Sequence, residues 1–113
     1  MDRLVSYRNI VKDLLKTQAK YMEESPQQAI ETQLSFDELH DNYLLLNVGW
    51  TKRGRMLVPA IYMRLSNGKI WVENDWTEAG IVDALIERGV PTDDIVLGFH
   101  PPEMRSYTEF AVA

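Results

Sequence analysis

The side chains of this sequence that could carry chemistry are two histidines and a few carboxylates. The chain contains no cysteine, so only His40 and His100 could give nitrogen ligands to a metal. Zinc sites use mainly cysteine and histidine, and thiol catalysis requires a cysteine. The sequence also has no Gly-x-Ser-x-Gly elbow for a Ser-His-Asp triad and no glycine-rich loop between a strand and a helix. We therefore predict no catalytic residues, no cofactor and no metal.

A group of carboxylates is the basis of an alternative. Glu73, Asp75 and Glu78 are close in sequence, and carboxylate oxygens suit hard divalent cations. Glu73 and Asp75 are better explained as the water-facing side of a strand. An enzyme or a small-ligand-binding protein would need a deep pocket that joins these carboxylates to His100.

The basic residues suggest a different class of function, nucleic-acid binding. They form two groups, a helix ridge of Arg8, Lys12, Lys16 and Lys20 and a hairpin tip of Lys52, Arg53 and Arg55. The net charge is −5, and residues 1–22 carry five basic against two acidic residues, so the remainder carries −8. An acidic body repels phosphate. We therefore expect DNA contact to be weak or indirect, and a basic protein partner fits the charge better.

A predicted hairpin turn at residues 66–69 organises the strands. Both central residues of a two-residue loop need positive φ, which Asn67 and Gly68 tolerate best. The resulting cross-strand pairs are Leu65 with Ile70, Arg64 with Trp71, Met63 with Val72, Tyr62 with Glu73 and Ile61 with Asn74. The same register places Pro59 opposite Trp76, where the last strand is ending.

This register sorts the side chains onto two faces. The core face takes Ile61, Met63, Leu65, Ile70 and Val72. Tyr62, Arg64 and Trp71 lie on the other face, and aromatic residues with arginine are enriched at protein interfaces. We predict that these three residues form an interface, which could pair two identical subunits; cover by the chain's own helix or C-terminal segment is the alternative.

The remaining elements follow from periodicity. Asp2 is a plausible N-cap of a first helix with an apolar stripe through Leu4, Tyr7, Val11 and Leu14. Residues 28–36 alternate as a strand with one wet face, and residues 43–51 predict a central strand that is covered on both faces. In that strand, Gly49 marks a bulge or a close backbone approach.

The C-terminal half predicts a second helix and a docked tail. Thr77 is its expected N-cap, and Gly89 with Val90 forms a helix-stop signal. Residues 95–99 are a short strand or a buried extended segment, and the tail is expected to dock through Tyr107, Phe110 and Val112. The prediction is a single α+β domain over residues 1–113: an antiparallel meander of about four strands with an N-terminal helix and a second helix packed on it. We expect no membrane span and a cytoplasmic location.

Several motifs form a specific combination when they are read in order. They are Tyr43–Trp50, Gly68–Val72, Thr77-Glu78 with Gly80-Ile81, Ile95–Phe99, and the ending Pro102-Glu103, Arg105, Tyr107-Thr108 and Phe110–Ala113. Together they resemble the XisI family of cyanobacteria, the excision controlling factors of the fdxN element. The resemblance begins at Tyr7-Arg8 and covers nearly the whole chain. It does not include His40, the tip at residues 52–55 or the junction at residues 100–101.

This resemblance implies a non-enzymatic accessory role in programmed DNA excision during heterocyst differentiation. Members of the family act with an XisH-like partner and a separate site-specific recombinase, and any phosphodiester chemistry would lie in the partner. The family offers no catalytic residues to transfer. The alternatives that stay open are direct DNA binding through the basic helix ridge and a ligand-binding or enzymatic protein with an acidic cluster.

Overall fold

One sheet with its two longer helices on one face forms the molecule, as seen in a computed structural model that describes residues 3–24, 29–77 and 80–113. The elements in chain order are α1 (Arg3–Glu24), β1 (Ile30–Asp37), β2 (Asn42–Thr51), β3 (Gly54–Ser66), β4 (Lys69–Asp75), α2 (Ile81–Glu87), a 3₁₀ turn (Thr92–Asp94), β5 (Ile95–Leu97) and α3 (Pro102–Arg105). The strand order is β1-β2-β3-β4-β5. The first four strands form the predicted antiparallel meander, and β5 adds a fifth strand parallel to β4.

The predicted hairpin between β3 and β4 is confirmed. Asn67 and Gly68 have φ values of 54° and 76°, as a two-residue reversal requires. The register agrees with the prediction for the four pairs nearest the turn, from Ser66–Lys69 to Met63–Val72.

Beyond these pairs a β-bulge shifts the register by one residue. Tyr62 pairs with Asn74 rather than Glu73, and Ile61 pairs with Asp75 rather than Asn74. Glu73 is the extra residue, and its carboxylate accepts a hydrogen bond from Arg64 at 2.9 Å. The turn fixes the register only as far as the first bulge, so hairpin geometry alone does not predict this shift.

A second bulge changes the predicted position of Pro59. Leu45 pairs with Ile61 and Leu46 with Pro59, so Ala60 is the extra residue on β3. The Trp76 N–H donates to the carbonyl of Ala60 at 2.8 Å, and Pro59 therefore does not face Trp76 as predicted. Proline lacks a ladder donor and is tolerated next to a bulge, beyond the end of β4.

The hydrophobic core lies between α1, α2 and one face of the sheet. The predicted core face is confirmed, because Ile61, Met63, Leu65, Ile70 and Val72 are all buried. The predicted stripe of α1 is also confirmed, with Tyr7, Val11 and Leu14 buried and Leu4 packed against the core. Asp2, the proposed N-cap, lies outside the described residues.

The start of α2 differs from the prediction. Thr77 does not cap the helix; instead an Asp75 carboxylate oxygen accepts the Ile81 N–H at 2.7 Å. The other Asp75 oxygen accepts the Thr77 N–H at 2.9 Å, so one side chain at the end of β4 binds the main chain at both Thr77 and Ile81. At the other end, Gly89 has a φ of 90°, and the Val90 N–H donates to the Leu85 carbonyl at 3.1 Å, which confirms the helix-stop signal.

The C-terminal segment packs along β5. The Ala111 N–H donates to the Ile95 carbonyl at 2.9 Å, and Phe110 packs against the core. Tyr107 and Val112 were expected to dock but are 83 % and 54 % exposed. Main-chain pairing therefore attaches this segment more than its apolar side chains do. Within the described ranges, no helix has the length and apolar character needed to cross a membrane.

Gly49 makes the close backbone approach that its position in β2 predicts. A Cβ atom at this position would lie 2.0 Å from the carbonyl oxygen of Ala29, which accepts the Trp50 N–H at 3.2 Å. We expect Gly49→Ala to lower the free energy of unfolding by about 2–3 kcal/mol, because backbone must move to relieve the overlap. Urea titration followed by circular dichroism measures this loss.

Gly68→Ala is the comparison variant. A Cβ atom at Gly68 meets no heavy atom within 4 Å, so that change costs only the left-handed φ of 76°, about 1 kcal/mol. Equal losses for the two variants would contradict the close approach at Gly49.

Candidate protein-interaction surface

The sheet face opposite α1 carries a continuous row of apolar side chains, which we call the apolar belt. It consists of Leu44, Leu46, Val48 and Trp50 on β2 and Leu57 and Pro59 on β3. Trp50 and Leu57 are 60 % and 64 % exposed, and the other four are partly buried. The prediction that β2 is covered on both faces is therefore wrong. The buried side chains of α1 and α2 belong to a core on the other face, which leaves the belt without a covering helix.

The predicted interface residues Tyr62, Arg64 and Trp71 lie on the same face, next to the belt. The Arg64 guanidinium carbon is 4.6 Å from the centroid of the Trp71 ring, and its Nε donates to Glu73 at 2.9 Å. The Tyr62 hydroxyl donates to the side-chain oxygen of Asn42 at 2.9 Å. Cation–π contact and ion pairing fix the orientation of these side chains before any partner binds.

Arg105 from the C-terminal segment also contacts Trp71. Its guanidinium carbon is 5.1 Å from the ring centroid, and its Nε donates to the His100 carbonyl at 3.0 Å. The chain thus covers part of this cluster by itself, as the alternative to an interface requires. The Trp71 ring nitrogen is buried, and no acceptor within residues 3–24, 29–77 or 80–113 reaches it.

The first residue of the basic ridge is held in an internal network. Arg8 Nε is 3.0 Å from Asp41 Oδ1 and 3.1 Å from the Tyr43 hydroxyl, which itself donates to Asp41 at 2.7 Å. Burial opposes ionisation of Asp41, but the hydrogen bonds from Arg8 and Tyr43 outweigh it and lower the pKa of that carboxyl. Arg8 therefore joins α1 to the β1–β2 turn instead of extending into solvent.

The other basic residues divide into paired and unpaired groups. Lys12 forms an ion pair with Glu38, and Arg55 lies over the Trp50 ring at 5.5 Å. Lys16, Lys20, Lys52 and Arg53 are exposed, and the described part of the chain offers them no ion-pair partner. Among the described residues, these four of the seven predicted nucleic-acid contacts therefore have no ion-pair partner.

Two of the three carboxylates of the proposed acidic cluster are engaged by other groups. Glu73 pairs with Arg64, and Asp75 orders the start of α2, while Glu78 lies outside the described residues. His100 packs against Phe99 with ring centroids 4.6 Å apart, and exposed His40 contacts Asp37 at 2.7 Å. In the described ranges no group of three or more histidine or acidic side chains is arranged to bind a metal.

Comparison with known sequences decides the family. The sequence model described as XisI protein matches residues 1–112. The chain belongs to the XisI family. No curated protein matches this XisI-family chain.

Two solved structures extend the comparison to three dimensions. A XisI-like protein from Anabaena variabilis ATCC 29413 is 36 % identical, with a TM-score of 0.89 over 97 % of this chain and 99 % of that one. The fdxN element excision controlling factor XisI from the same organism is 39 % identical, with a TM-score of 0.83 over 99 % of this chain and all of that one. The family resemblance and the α+β fold predicted from sequence are confirmed.

Two features of this XisI-family surface were missed by sequence reasoning. The spacing of Leu44, Leu46, Val48 and Trp50 places them on one face, but it does not show whether another element covers that face. The relevant signal is the number of helices: when the two predicted helices pack on one face of the sheet, the other face has no helix to cover it. No local pattern links Arg105 to Trp71, because that contact depends on the path of the C-terminal segment.

Tyr43, which contacts both Arg8 and Asp41, should make the free energy of unfolding sensitive to alkaline pH. Burial, together with the hydrogen bond to Asp41, raises the pKa of Tyr43 from 10 to about 12. The folded chain keeps this proton where the unfolded chain has lost it. The free energy of unfolding is therefore unaffected by this proton below about pH 10. Between about pH 10 and pH 12 it decreases by about 1.4 kcal/mol per pH unit for each tyrosine whose pKa is raised in this way.

Urea titrations between pH 9 and pH 12 measure this dependence. Tyr43→Phe should reduce the slope, and the remainder belongs largely to Tyr7, whose pKa burial and Asp94 also raise to about 12. An unchanged slope in the Tyr43→Phe Tyr7→Phe double variant would contradict the assignment.

Proposed function

We propose that this XisI-family chain is a non-enzymatic accessory factor of programmed DNA excision that acts by binding an XisH-like protein in the cytoplasm. One observation carries the proposal: the fdxN element excision controlling factor XisI is 39 % identical over 99 % of this chain. Similarity at this level along the entire length favours a shared mode of action as well as a shared fold.

The state of the polar side chains supports an accessory role rather than catalysis. A catalytic acid or base needs a free, positioned group in a cleft. Glu73 and Asp75 are engaged by Arg64 and by the start of α2. The groove described at the end of α1 is lined by Met22, Glu23, Ile30, Glu31 and Thr32, and its two carboxylates belong to exposed residues that stay in contact with water.

The surface around Trp71 is the proposed contact for the partner. Arg64 and Arg105 hold the ring in place, and Tyr107, two residues after Arg105 in the chain, is 83 % exposed. Pre-ordered aromatic and arginine side chains lose little conformational entropy on binding, which is why they dominate interface energetics. The net charge of −5 favours a basic partner.

Co-expression tests the partnership. The chain is produced with an XisH-like protein, one of the two carries an affinity tag, and the eluate is analysed for the other at low salt. We expect both chains to co-elute. Trp71→Ala should reduce the recovered partner at least about tenfold, as expected for loss of a central aromatic anchor.

Trp76→Ala is the matched control, since the same ring is removed from a site that is 65 % exposed, after the end of β4. It should leave recovery unchanged. Circular dichroism of each variant verifies folding. If the two folded proteins fail to co-elute, the proposed binding of an XisH-like protein is wrong. If Trp71→Ala and Trp76→Ala change the amount of recovered partner equally, the surface around Trp71 is not the contact.

Direct DNA binding is a second candidate, favoured by four exposed cations, Lys16, Lys20, Lys52 and Arg53, for which the residues that the structure describes supply no ion-pair partner. Four phosphate contacts limit the slope of log K against log salt to about −4. We expect an electrophoretic shift of duplex DNA, if this candidate is correct, to weaken with salt and with replacement of the four cations by glutamine. Arg8→Gln should not weaken it beyond any loss of folding, because Asp41 already neutralises Arg8.

A further inference from the structure

We propose that the apolar belt is the interface of a symmetric homodimer, with a second copy of this chain stacked face to face and the two-fold axis running along β2. The proposal goes beyond the function proposed above and uses a different part of the sheet. It depends on three features: continuity of the belt, exposure of its centre and opposite charges on its two flanks.

The belt is continuous because its members are direct neighbours in the sheet. Val48 pairs with Leu57, and Leu46 pairs with Pro59 across β2 and β3. Isolated exposed apolar residues are normal on a protein surface, whereas a contiguous patch marks an interaction site. Trp50 and Leu57, at 60 % and 64 % exposure, give this patch most of its accessible apolar area.

The flanks of the belt carry opposite charges. On the β1 side, exposed Glu31 pairs with Val48, in the same row as Leu57. On the β3 side, exposed Arg55 pairs with Trp50, two residues along β3 from Leu57. The centre is thus apolar, with a carboxylate on one side and a guanidinium on the other, which is the arrangement of an interface core with a charged rim.

A second copy matches this pattern when the two-fold axis follows β2. Such an axis places β2 over the partner's β2 and β1 over the partner's β3, so Glu31 comes to lie over the row that contains Leu57. Arg55 is two residues away, about 7 Å along the strand, within reach of its extended side chain. Because the interface is isologous, the Glu31–Arg55 contact forms twice.

Face-to-face packing of this kind is the usual arrangement in a β-sandwich, with strands aligned within about 30° and sheets about 10 Å apart. In this arrangement β4 projects beyond the partner's β1 edge. Trp71 therefore stays accessible to the protein partner proposed above. The homodimer is measured on the isolated chain, so its failure and the failure of the partnership are separate results.

Light scattering coupled to size-exclusion chromatography tests the dimer. The chain should elute with twice its 13.1 kDa mass. Leu57→Asp should give a folded monomer, because it replaces exposed apolar surface of the belt with a carboxylate that would lie against Glu31 of the partner subunit. Leu39→Asp is the matched control: Leu39 is 85 % exposed in the β1–β2 turn, away from the belt, and the variant should remain a dimer. A wild-type chain that stays at single-chain mass up to about 1 mM would overturn the proposal.

A charge exchange tests the direction of the axis. Arg55→Glu and Glu31→Arg should each weaken dimerisation about three- to tenfold, since like charges then meet across the rim. The double variant restores opposite charges and should recover the wild-type dissociation constant to within about threefold. Arg55 also covers Trp50 within its own subunit, so a loss in Arg55→Glu alone has two causes, but only the intersubunit contact predicts the recovery. A double variant as weak as either single variant would overturn the proposed axis.

Discussion

The packing of α1 across one face of the meander is the interaction on which the rest of this structure depends. Tyr43, Leu45, Ile61 and Met63 are fully buried beneath the helices, and Ile70 and Val72 extend the same layer to β4. Side chains alternate between faces along a strand, so a slip of one residue would move this whole set into water. Each of the two bulges adds one residue, Ala60 or Glu73, and so reverses which alternate residues of its strand face the core. The apolar layer therefore selects the register, and the register in turn defines the uncovered face.

Charged side chains attach α1 to the ends of the sheet. Because they are paired in this way, they are not available for the nucleic-acid binding that their spacing along the helix suggests. Arg8 reaches Asp41 in the β1–β2 turn, and Lys12 pairs with Glu38 in the same turn. Nearer the start of the helix, Tyr7 donates to Asp94 before β5. These contacts connect α1 to segments far apart in sequence, and they orient a helix whose apolar stripe alone would allow it to slide. A row of cations at four-residue spacing is therefore weak evidence for nucleic-acid binding until the acidic residues of neighbouring loops have been located.

Features with a local cause could be predicted from the sequence, and features with a tertiary cause could not. The turn at Asn67 and Gly68 and the helix end at Gly89 depend on φ preferences of single residues, and both are confirmed. The cap of α2 was assigned to Thr77 because it directly precedes the helix, yet Asp75 performs it from the end of β4. In the candidate site, Tyr62, Arg64 and Trp71 were grouped correctly by register, whereas the contact from Arg105 required knowing the path of the last residues. The exposure of Trp50 follows from counting covering elements, a global property that no sequence window contains.

The two edges of the sheet limit how its open face can be used. At β5 the edge is occupied, because the Ala111 N–H donates to Ile95. At β1 the edge strand presents the polar side chains of Glu31, Gln33 and Ser35 on the open side, which disfavours indefinite strand addition. Association through the face rather than the edge avoids open-ended assembly for a second reason. The acidic and basic flanks lie on opposite sides of the apolar belt, so two copies form both Glu31–Arg55 contacts at once. No complementary surface of the belt is then left for a third copy. A closed pair is the natural limit of such an arrangement, whereas a belt with a single charge on both flanks would repel its own copy.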